Sequence, residues 1–269
     1  MRTKATLTCL LTVFTLIGFS QKNLLLEGNY QGKNLYVQNP FKSDNVGFCT
    51  NKVTVNGDVT SDEIQSSAFE IDFTKFGLKI GDPVTVIIEH GTDCVPKVLN
   101  PEVLKPTSTY KVKSIDVTPD GMLKWTTQDE TGKLPFVIEQ YRWNKWIVIG
   151  EVDGIGSPEE HTYEFKITPH SGENKVRVKQ IDHTKKPNIS PSRSFMSNVK
   201  DVTFEPKKVR DEVTFYDADE NIVKTRYEVY DAYGNIVKKG YGDKVDLSSL
   251  EKGAYYLNYD NKNEKFIKK

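Results

Sequence analysis

The fold is decided by a stretch near the C-terminus, which reads Tyr227-Glu-Val-Tyr-Asp231-Ala-Tyr-Gly234-Asn-Ile-Val237-Lys-Lys-Gly240 and continues at Val245-Asp-Leu-Ser-Ser-Leu250-Glu-Lys-Gly253-Ala-Tyr-Tyr-Leu257. Apolar residues alternate with polar ones in both segments, and the runs end at glycines. Alternation with a period of two, interrupted by turn residues, indicates short strands joined by tight turns. The stretch therefore predicts a β-meander.

The rest of the chain follows the same pattern. Valine and isoleucine dominate the apolar runs, as they do in strands. The one segment with a possible helix cap, residues 60–64, is a single turn long. With regular short strands and turn signals between them, the sequence predicts an all-β protein made of three tandem small β-sandwiches.

The N-terminus, residues 1–20, has the three parts of a secretory signal peptide. Arg2 and Lys4 give a positive start, an apolar run follows, and Gly18-Phe19-Ser20 offers small residues before a cut ahead of Gln21. The apolar run is shorter than the roughly 20 residues that span a bilayer, which disfavours the alternative of an uncleaved anchor. No later segment approaches that length, so we expect an exported chain without a membrane-spanning segment.

The net charge and the number of cysteines reduce the classes of function that are open to this chain. The chain has 37 basic and 37 acidic residues, which is not the footprint of a nucleic-acid-binding protein. Cys49 and Cys94 are left once Cys9 is removed with the signal peptide. In an oxidising compartment we expect this pair to form a disulfide. A metal site or a catalytic thiol would need further partners, and only His90 lies nearby in sequence.

Residues 21–104 form the first predicted sandwich, with strands at 34–37, 52–55, 68–71 and 83–88. Val55-Asn56-Gly57-Asp58 is a strong hairpin signal. Residues 95–106 carry three prolines, so they predict a stiff exit and linker.

Residues 107–197 form the second predicted sandwich. This segment resembles a fibronectin type III domain, with Trp125 where that family buries a tryptophan and Asn174 where it usually has a tyrosine. It more closely resembles the variant that precedes the sorting domain in cargo of the bacterial type 9 secretion system. The matching runs are Ile149-Gly150-Glu-Val152, Tyr163-Glu-Phe165 and Arg177-Val-Lys-Gln180-Ile-Asp182.

Residues 200–269 form the third predicted unit, which resembles the C-terminal sorting domain of type 9 cargo. The resemblance rests on the YDxxGxxV run from Tyr230, the VDLSxLxxGxY run from Val245 and the basic tail. Phe204-Glu205-Pro206-Lys207 replaces the YPNP-like opening of that family. A short internal repeat, residues 216–224 and 230–238, predicts two successive hairpins with the same Asp and Asn turn chemistry.

No catalytic or cofactor motif is present in the sequence. The nearest approach to a metal loop begins at Asp217 and runs through Asp219 and Asn221 to Glu228, but Ile222 stands where a calcium loop needs glycine. We interpret this segment as a polar hairpin turn. We therefore expect no enzyme activity, cofactor or metal, although two distant carboxylates for glycoside hydrolysis leave that alternative open.

The best interaction candidate is Tyr141-Arg142-Trp143-Asn144-Lys145-Trp146. We expect Trp146 to pack in the core and Trp143 to be exposed on a hairpin turn. An exposed tryptophan beside Tyr141, Arg142 and Lys145 has the residue types enriched at interface hot spots. It would equally suit stacking on a sugar ring, or it would fold back over the sheet edge.

The resemblance implies two hypotheses for function. The first is a non-enzymatic accessory subunit of the type 9 translocon, a periplasmic plug that binds an outer-membrane component. The alternative is an exported surface adhesin or carbohydrate-binding protein whose C-terminal domain is a cleaved sorting signal and whose partner is a glycan. An enzyme is the third reading.

Overall fold

The computed structural model describes residues 22–269, and it confirms the all-β fold class. These residues form strands, loops and two 3₁₀-helical turns, Phe73–Phe76 and Pro101–Leu104, and none of them lies in an α-helix. Between residues 22 and 269 there is accordingly no helix able to cross a membrane. The predicted signal peptide, residues 1–20, lies outside the described residues.

The described chain divides into two compact units. One comprises most of residues 22–101, and the other comprises residues 102–269 together with two short segments, Gly28–Lys33 and Gly77–Pro83. The second unit contains both the second and the third predicted sandwich. The three predicted domain boundaries thus stay a prediction.

Two sheets make up the N-terminal part of the chain, and their strands are ordered β1-β6-β3-β4 and β5-β2-β7. Buried apolar residues alternate with more exposed ones along the longest strand, where Val84, Val86 and Ile88 are buried. The strands are β1 (Lys22–Asn29), β2 (Leu35–Gln38), β3 (Thr50–Val55), β4 (Asp58–Val59), β5 (Ala68–Ile71), β6 (Pro83–His90) and β7 (Lys97–Val98).

The predicted hairpin and the predicted disulfide of this part are both confirmed. Val55 pairs with Asp58 across a two-residue turn in which Asn56 and Gly57 have φ values of 50° and 96°. Both positive values suit a type I′ turn, for which Asn-Gly is the preferred pair. Cys49 and Cys94 form a disulfide with a Cα–Cα distance of 5.8 Å.

The linker prediction for residues 95–106 is wrong in part. Lys97–Val98 is a strand that pairs with β2, and Leu104, at the end of a 3₁₀ turn, is buried. The prolines fix φ but do not prevent Val98 from pairing, because each proline lies outside the two-residue strand.

The second sandwich packs a three-stranded sheet, ordered β12-β9-β8, against a sheet ordered β11-β10-β13-β14 in which β15 also pairs with β13. Trp125 is fully buried, as predicted, with its ring stacked on Tyr163 and edge-on to Phe136. The strands are β8 (Lys111–Val117), β9 (Met122–Gln128), β10 (Pro135–Arg142), β11 (Lys145–Asp153), β12 (His161–Lys166), β13 (Glu173–Ile181), β14 (Pro187–Ile189) and β15 (Arg193–Met196).

The third sandwich packs a three-stranded sheet, ordered β16-β18-β21, against a five-stranded sheet, ordered β17-β23-β22-β19-β20. Phe204, Phe215, Tyr259 and Phe266 are the largest fully buried side chains of its core. The strands are β16 (Thr203–Glu205), β17 (Lys208–Val209), β18 (Glu212–Tyr216), β19 (Thr225–Tyr230), β20 (Ile236–Gly242), β21 (Lys244–Asp246), β22 (Gly253–Tyr259) and β23 (Lys262–Lys268).

The two repeated segments of the third sandwich both contain polar turns, but only the second forms the predicted strand hairpin, between β19 and β20. The first is closed by a single bridge, between Tyr216 and Ile222, and leads from β18 to β19, which lie in different sheets. One carboxylate oxygen of Asp217 accepts hydrogen bonds from the backbone N–H groups of Asp219 and Asn221, both at 2.9 Å. Asp231 does the same for Tyr233 and Asn235, also at 2.9 Å. Asp217, the first carboxylate of the calcium-loop pattern, therefore closes its own turn, and Asp231 does so in the second copy.

Candidate functional site

The predicted interaction segment forms the tight hairpin between β10 and β11. Arg142 pairs with Lys145, and the two residues between them, Trp143 and Asn144, have φ values of 51° and 59°. Two consecutive positive φ values define a type I′ turn, which matches the twist of the flanking strands. The prediction that Trp143 lies on a hairpin turn is confirmed.

Arg142 does not form part of an exposed surface, which corrects the expectation for this residue. It is 3% exposed, because the alternation along β10 places it on the same face as the buried Phe136 and Ile138. Its Nη2 donates to the carbonyl oxygen of Thr168 at 2.8 Å, and its Nε donates to Gln140 Oε1 at 2.8 Å. Burial lowers the pKa of the guanidinium to about 10, so the group stays charged at neutral pH.

The third sandwich supplies the remaining partners through the turn between β22 and β23. Asp260, at φ 47°, occupies this turn, and its carbonyl oxygen accepts a hydrogen bond from Arg142 Nη1 at 3.3 Å. Its carboxylate accepts a bond from the backbone N–H of Ser171 at 2.9 Å and another from the Ser171 hydroxyl. Asn261 Nδ2 donates to the Ser171 carbonyl oxygen at 2.9 Å. We call this set of contacts the junction.

Asn174 holds the second sandwich's side of the junction in place. It is fully buried, its Nδ2 donates to the carbonyl oxygen of His170 at 2.8 Å, and its Oδ1 accepts from Gln140 Nε2 at 2.7 Å and from the His170 N–H at 3.0 Å. The amide of Asn174 therefore shapes the loop that contains Ser171. Sequence analysis noted Asn174 but missed this role, because its partners are brought together only by the fold.

Lys145 also contacts the third sandwich. Its Nζ lies 2.6 Å from Glu228 Oε2 and 2.8 Å from the hydroxyl of Tyr230, and that hydroxyl donates to the same carboxylate oxygen at 2.6 Å. Burial alone would raise the pKa of the Glu228 carboxyl, but the hydrogen bonds from Lys145 and Tyr230 outweigh burial and hold it below its usual value. Burial would lower the pKa of Lys145, and the bond to Glu228 reverses that effect and raises it.

Neither tryptophan of this segment has the environment that was predicted for it: Trp143 was expected to be exposed and Trp146 to lie in the core. Trp143 is half-buried, and its Nε1 donates to the carbonyl oxygen of Tyr259 at 3.4 Å. Trp146 is also only half-buried, because it pairs with Tyr141 on the outer face of the sheet. Directly paired residues share a face, so Trp146 points away from the core and the guanidinium of Arg177 lies over its ring at 4.0 Å.

A cleft of about 910 Å³ opens beside the junction. Its walls are residues 141–144 of the second sandwich and residues 230–234 of the third, and the remainder is lined by Glu173, Tyr256, Asn258 and residues 261–263. His170 also reaches this lining. Burial lowers the pKa of His170, so its ring is neutral at pH 7, and its Nδ1 donates to the Ser171 carbonyl oxygen at 2.7 Å.

Residues 22–269 contain no cluster of three or more His, Cys, Asp or Glu side chains placed to hold a metal ion. Arg142 and Asp260 are the buried charged residues of the junction. Arg142, in the second sandwich, donates to the third, and Asp260, in the third sandwich, accepts from the second. The arrangement joins two sandwiches and leaves a polar, aromatic cleft at their edge.

Comparison with known proteins assigns the third sandwich. Residues 206–269 match the family model described as a secretion system C-terminal sorting domain. This confirms that a sorting domain lies within residues 200–269, and domains of this kind mark exported proteins. No curated protein matches the chain.

Solved structures that resemble the chain are β-sandwich arrays of low sequence identity. A tetra-tandem repeat from the extending region of a large adhesion protein covers 93% of this chain and 73% of its own, with 12% identity and a TM-score of 0.31. Chicken CNTN1 FN1-FN3 domains cover 91% of this chain and 97% of their own, at 13% identity and a TM-score of 0.27. Fibronectin(III)-like modules of Clostridium thermocellum CbhA cover 60% of this chain and 94% of their own, at 13% identity and a TM-score of 0.22.

Proposed function

We propose that this protein crosses the outer membrane through the type 9 secretion system and acts at the cell surface as a non-catalytic, adhesin-type binding protein. The match of residues 206–269 to a sorting domain is the observation that carries the proposal. Within the matched residues, β23 pairs with both β17 and β22.

A binding role rather than a catalytic one fits the way the chain uses its buried charges. Arg142 and Asp260 serve as hydrogen-bond partners between sandwiches, and Glu228 is occupied by Lys145 and Tyr230. A general acid or base needs access to a substrate proton, and these groups are committed to structural contacts. The exposed aromatic and amide groups of the cleft suit recognition instead.

The junction also bears on the fate of the third sandwich after export. Its removal would break the contacts of Arg142 and Lys145 and would expose the indole of Trp143. We therefore infer that the surface form keeps residues 200–269, in contrast to the cleaved signal expected from the resemblance.

The competing proposal is an accessory plug subunit held in the periplasm by the translocon. It shares the sorting-domain fold but predicts a different location. No contact described above favours the plug subunit. The following experiment distinguishes the two proposals by the location of the protein.

The experiment is to express the full chain in a type 9-competent bacterium and in the same strain without the translocon, and to measure surface labelling and intact mass. We expect surface labelling only in the competent strain, with an intact C-terminus at Lys269. Phe266→Asp should unfold the third sandwich and abolish labelling, because Phe266 is 1% exposed in the core. The neighbouring change Ile267→Asp, at a residue 40% exposed, is the matched control. Periplasmic retention of the intact chain in the competent strain would overturn the proposal in favour of the plug.

A further inference from the structure

The cleft beside the junction has an unusual concentration of accessible aromatic rings. Tyr233, at the tip of the β19–β20 turn, is 91% exposed, and Tyr256 and Tyr141 are 40% and 38% exposed. Single exposed aromatic residues are common on protein surfaces, but a group of them lining one cleft marks a binding site. Tyr256 pairs directly with Tyr230 on β19, so two phenol rings lie side by side on one sheet face.

Amide side chains accompany these rings. Asn144 is exposed on the opposite wall, and Asn263 Nδ2 donates to Asn258 Oδ1 at 2.5 Å on the third sandwich. Each amide has both donors and acceptors, as do the hydroxyl groups of a sugar. An aromatic ring can cover the C–H face of a pyranose while neighbouring amides bond its hydroxyls, so this combination suits an oligosaccharide.

Most charges around the cleft are already used within the protein. Lys262 Nζ lies 3.2 Å from the carboxylate of Asp201, and Asp231 accepts bonds from its own turn. Arg142 is buried against backbone carbonyl oxygens. Glu173 is the exception: it is an exposed residue of the lining, and no ion pair is found for it among residues 22–269. Its negative charge would repel an acidic ligand, so the cleft favours a neutral ligand over an acidic one.

The size of the cleft is consistent with a ligand of several sugar rings. Its volume, about 910 Å³, lies at the upper end of the roughly 300–1,000 Å³ that is usual for small-molecule sites. Its open form would leave both ends of a chain in solvent, as binding within a polysaccharide requires.

We propose that this cleft binds a neutral oligosaccharide, stacked on Tyr233 and Tyr256 and hydrogen-bonded by the surrounding asparagines. This inference rests on the proposed function, since it names the ligand class of the surface protein. Because residues 230–263 form one side of the cleft, the binding form is the chain that keeps its third sandwich.

The test is calorimetric titration of the mature full chain, residues 21–269, with cellotetraose, laminaritetraose, xylotetraose and mannotetraose. We expect at least one to bind, and Tyr233→Ala and Tyr256→Ala each to weaken it by about tenfold or more. Tyr241→Ala is the matched control, because Tyr241 is 53% exposed on the same sheet but is not part of the cleft lining. The acidic tetragalacturonate should bind at least about tenfold more weakly than the best neutral sugar.

Three results would overturn the proposal: no binding of any neutral tetrasaccharide, unchanged affinity in both cleft variants, or stronger binding of the acidic sugar. Thermal unfolding of each variant checks that the fold is kept. The assay uses purified protein and does not depend on export. A protein that binds sugar but stays in the periplasm would contradict only the proposed function. A surface protein that binds no sugar would contradict only the proposal that the cleft is a sugar site.

Discussion

The guanidinium of Arg142 and the carbonyl oxygen of Asp260 are 118 residues apart in sequence and lie within 3.3 Å in the folded chain. This contact joins the hairpin of one sandwich to a turn of the next. It places a permanent charge where water is excluded, and the charge is tolerated because Thr168 and Gln140 also accept its N–H groups.

Replacing Arg142 by methionine should therefore destabilise the protein. The change keeps much of the side-chain volume but removes the donor to the Asp260 carbonyl oxygen and to Gln140 Oε1. The Thr168 carbonyl oxygen keeps only the longer bond, 3.4 Å, from Gln140 Nε2. An unsatisfied buried acceptor costs about 1–3 kcal/mol, so we expect a loss of about 3 kcal/mol in the free energy of unfolding measured with urea. Arg210→Met, at an exposed position, should change it by less than about 0.5 kcal/mol. Equal effects of the two changes would show that the junction contributes no stability.

The glycine of the Ile149-Gly150-Glu-Val152 run supports a second prediction. A Cβ atom at Gly150 would lie 2.3 Å from Phe165 Cζ, so the ring of Phe165 packs directly on the backbone of β11. Gly150→Ala should force that ring aside and destabilise the fold by about 2 kcal/mol, as overpacking does. Thermal unfolding measures the effect, and Val148→Ala, at an exposed position of the same strand, is the control. A neutral or stabilising Gly150→Ala would show that the ring has room to move.

These two sites show what could be predicted from sequence and what could not. Alternation along the strands predicted the all-β class, and Asn-Gly and Asp-x-x-x-Asn patterns predicted turns at 56–57 and 217–221 that the structure contains. Such features depend on neighbouring residues only. The sorting domain was also predictable, because its motifs fall in one continuous stretch.

The contacts of the junction were not predictable in the same way. Arg142, Asn174 and Asp260 look like ordinary surface residues in sequence, since polar side chains at strand ends and turns are usually solvated. Only the pairing of β10 with β13 and the packing of the third sandwich bring them together. Trp146 was assigned to the core from its type, whereas its register opposite Tyr141 decides its face.

The disulfide gives a third prediction, confined to the N-terminal unit. Cys49 and Cys94 are separated by 45 residues, and closing a loop of this length is worth about 4 kcal/mol in the chain-entropy model. Reduction, or the double change Cys49→Ala and Cys94→Ala, should raise the rate of amide hydrogen exchange in β3 and β6 by several hundredfold. This applies to the amides that exchange only when the whole unit unfolds. The strands of the second and third sandwiches serve as the internal control. Uniform protection in both forms would mean that the bond adds nothing to this unit.

The ion pair between Lys145 and Glu228 should make the stability of the junction depend on pH. The pKa of Glu228 is held below its unfolded value of about 4.3, so its contribution is complete above that pH and is lost as pH falls through the lower, folded value. The pKa of Lys145 is raised above about 10.4, so its contribution is complete below that pH and is lost as pH rises through the folded value. The pair should therefore stabilise the protein fully between about pH 5 and pH 10.

A double-mutant cycle with Lys145→Met and Glu228→Gln measures that contribution. At pH 7 we expect a coupling free energy of about 1 kcal/mol, because Glu228 is largely shielded from solvent. The coupling should fall toward zero as the pH drops through the folded pKa of Glu228, which is held below its usual value. The exposed pair Lys113 and Glu160, 3.3 Å apart, is the matched control, and its coupling should stay below about 0.5 kcal/mol. A coupling that stays unchanged while Glu228 becomes protonated would show that the phenol of Tyr230, rather than the charge of Glu228, holds Lys145 at the junction.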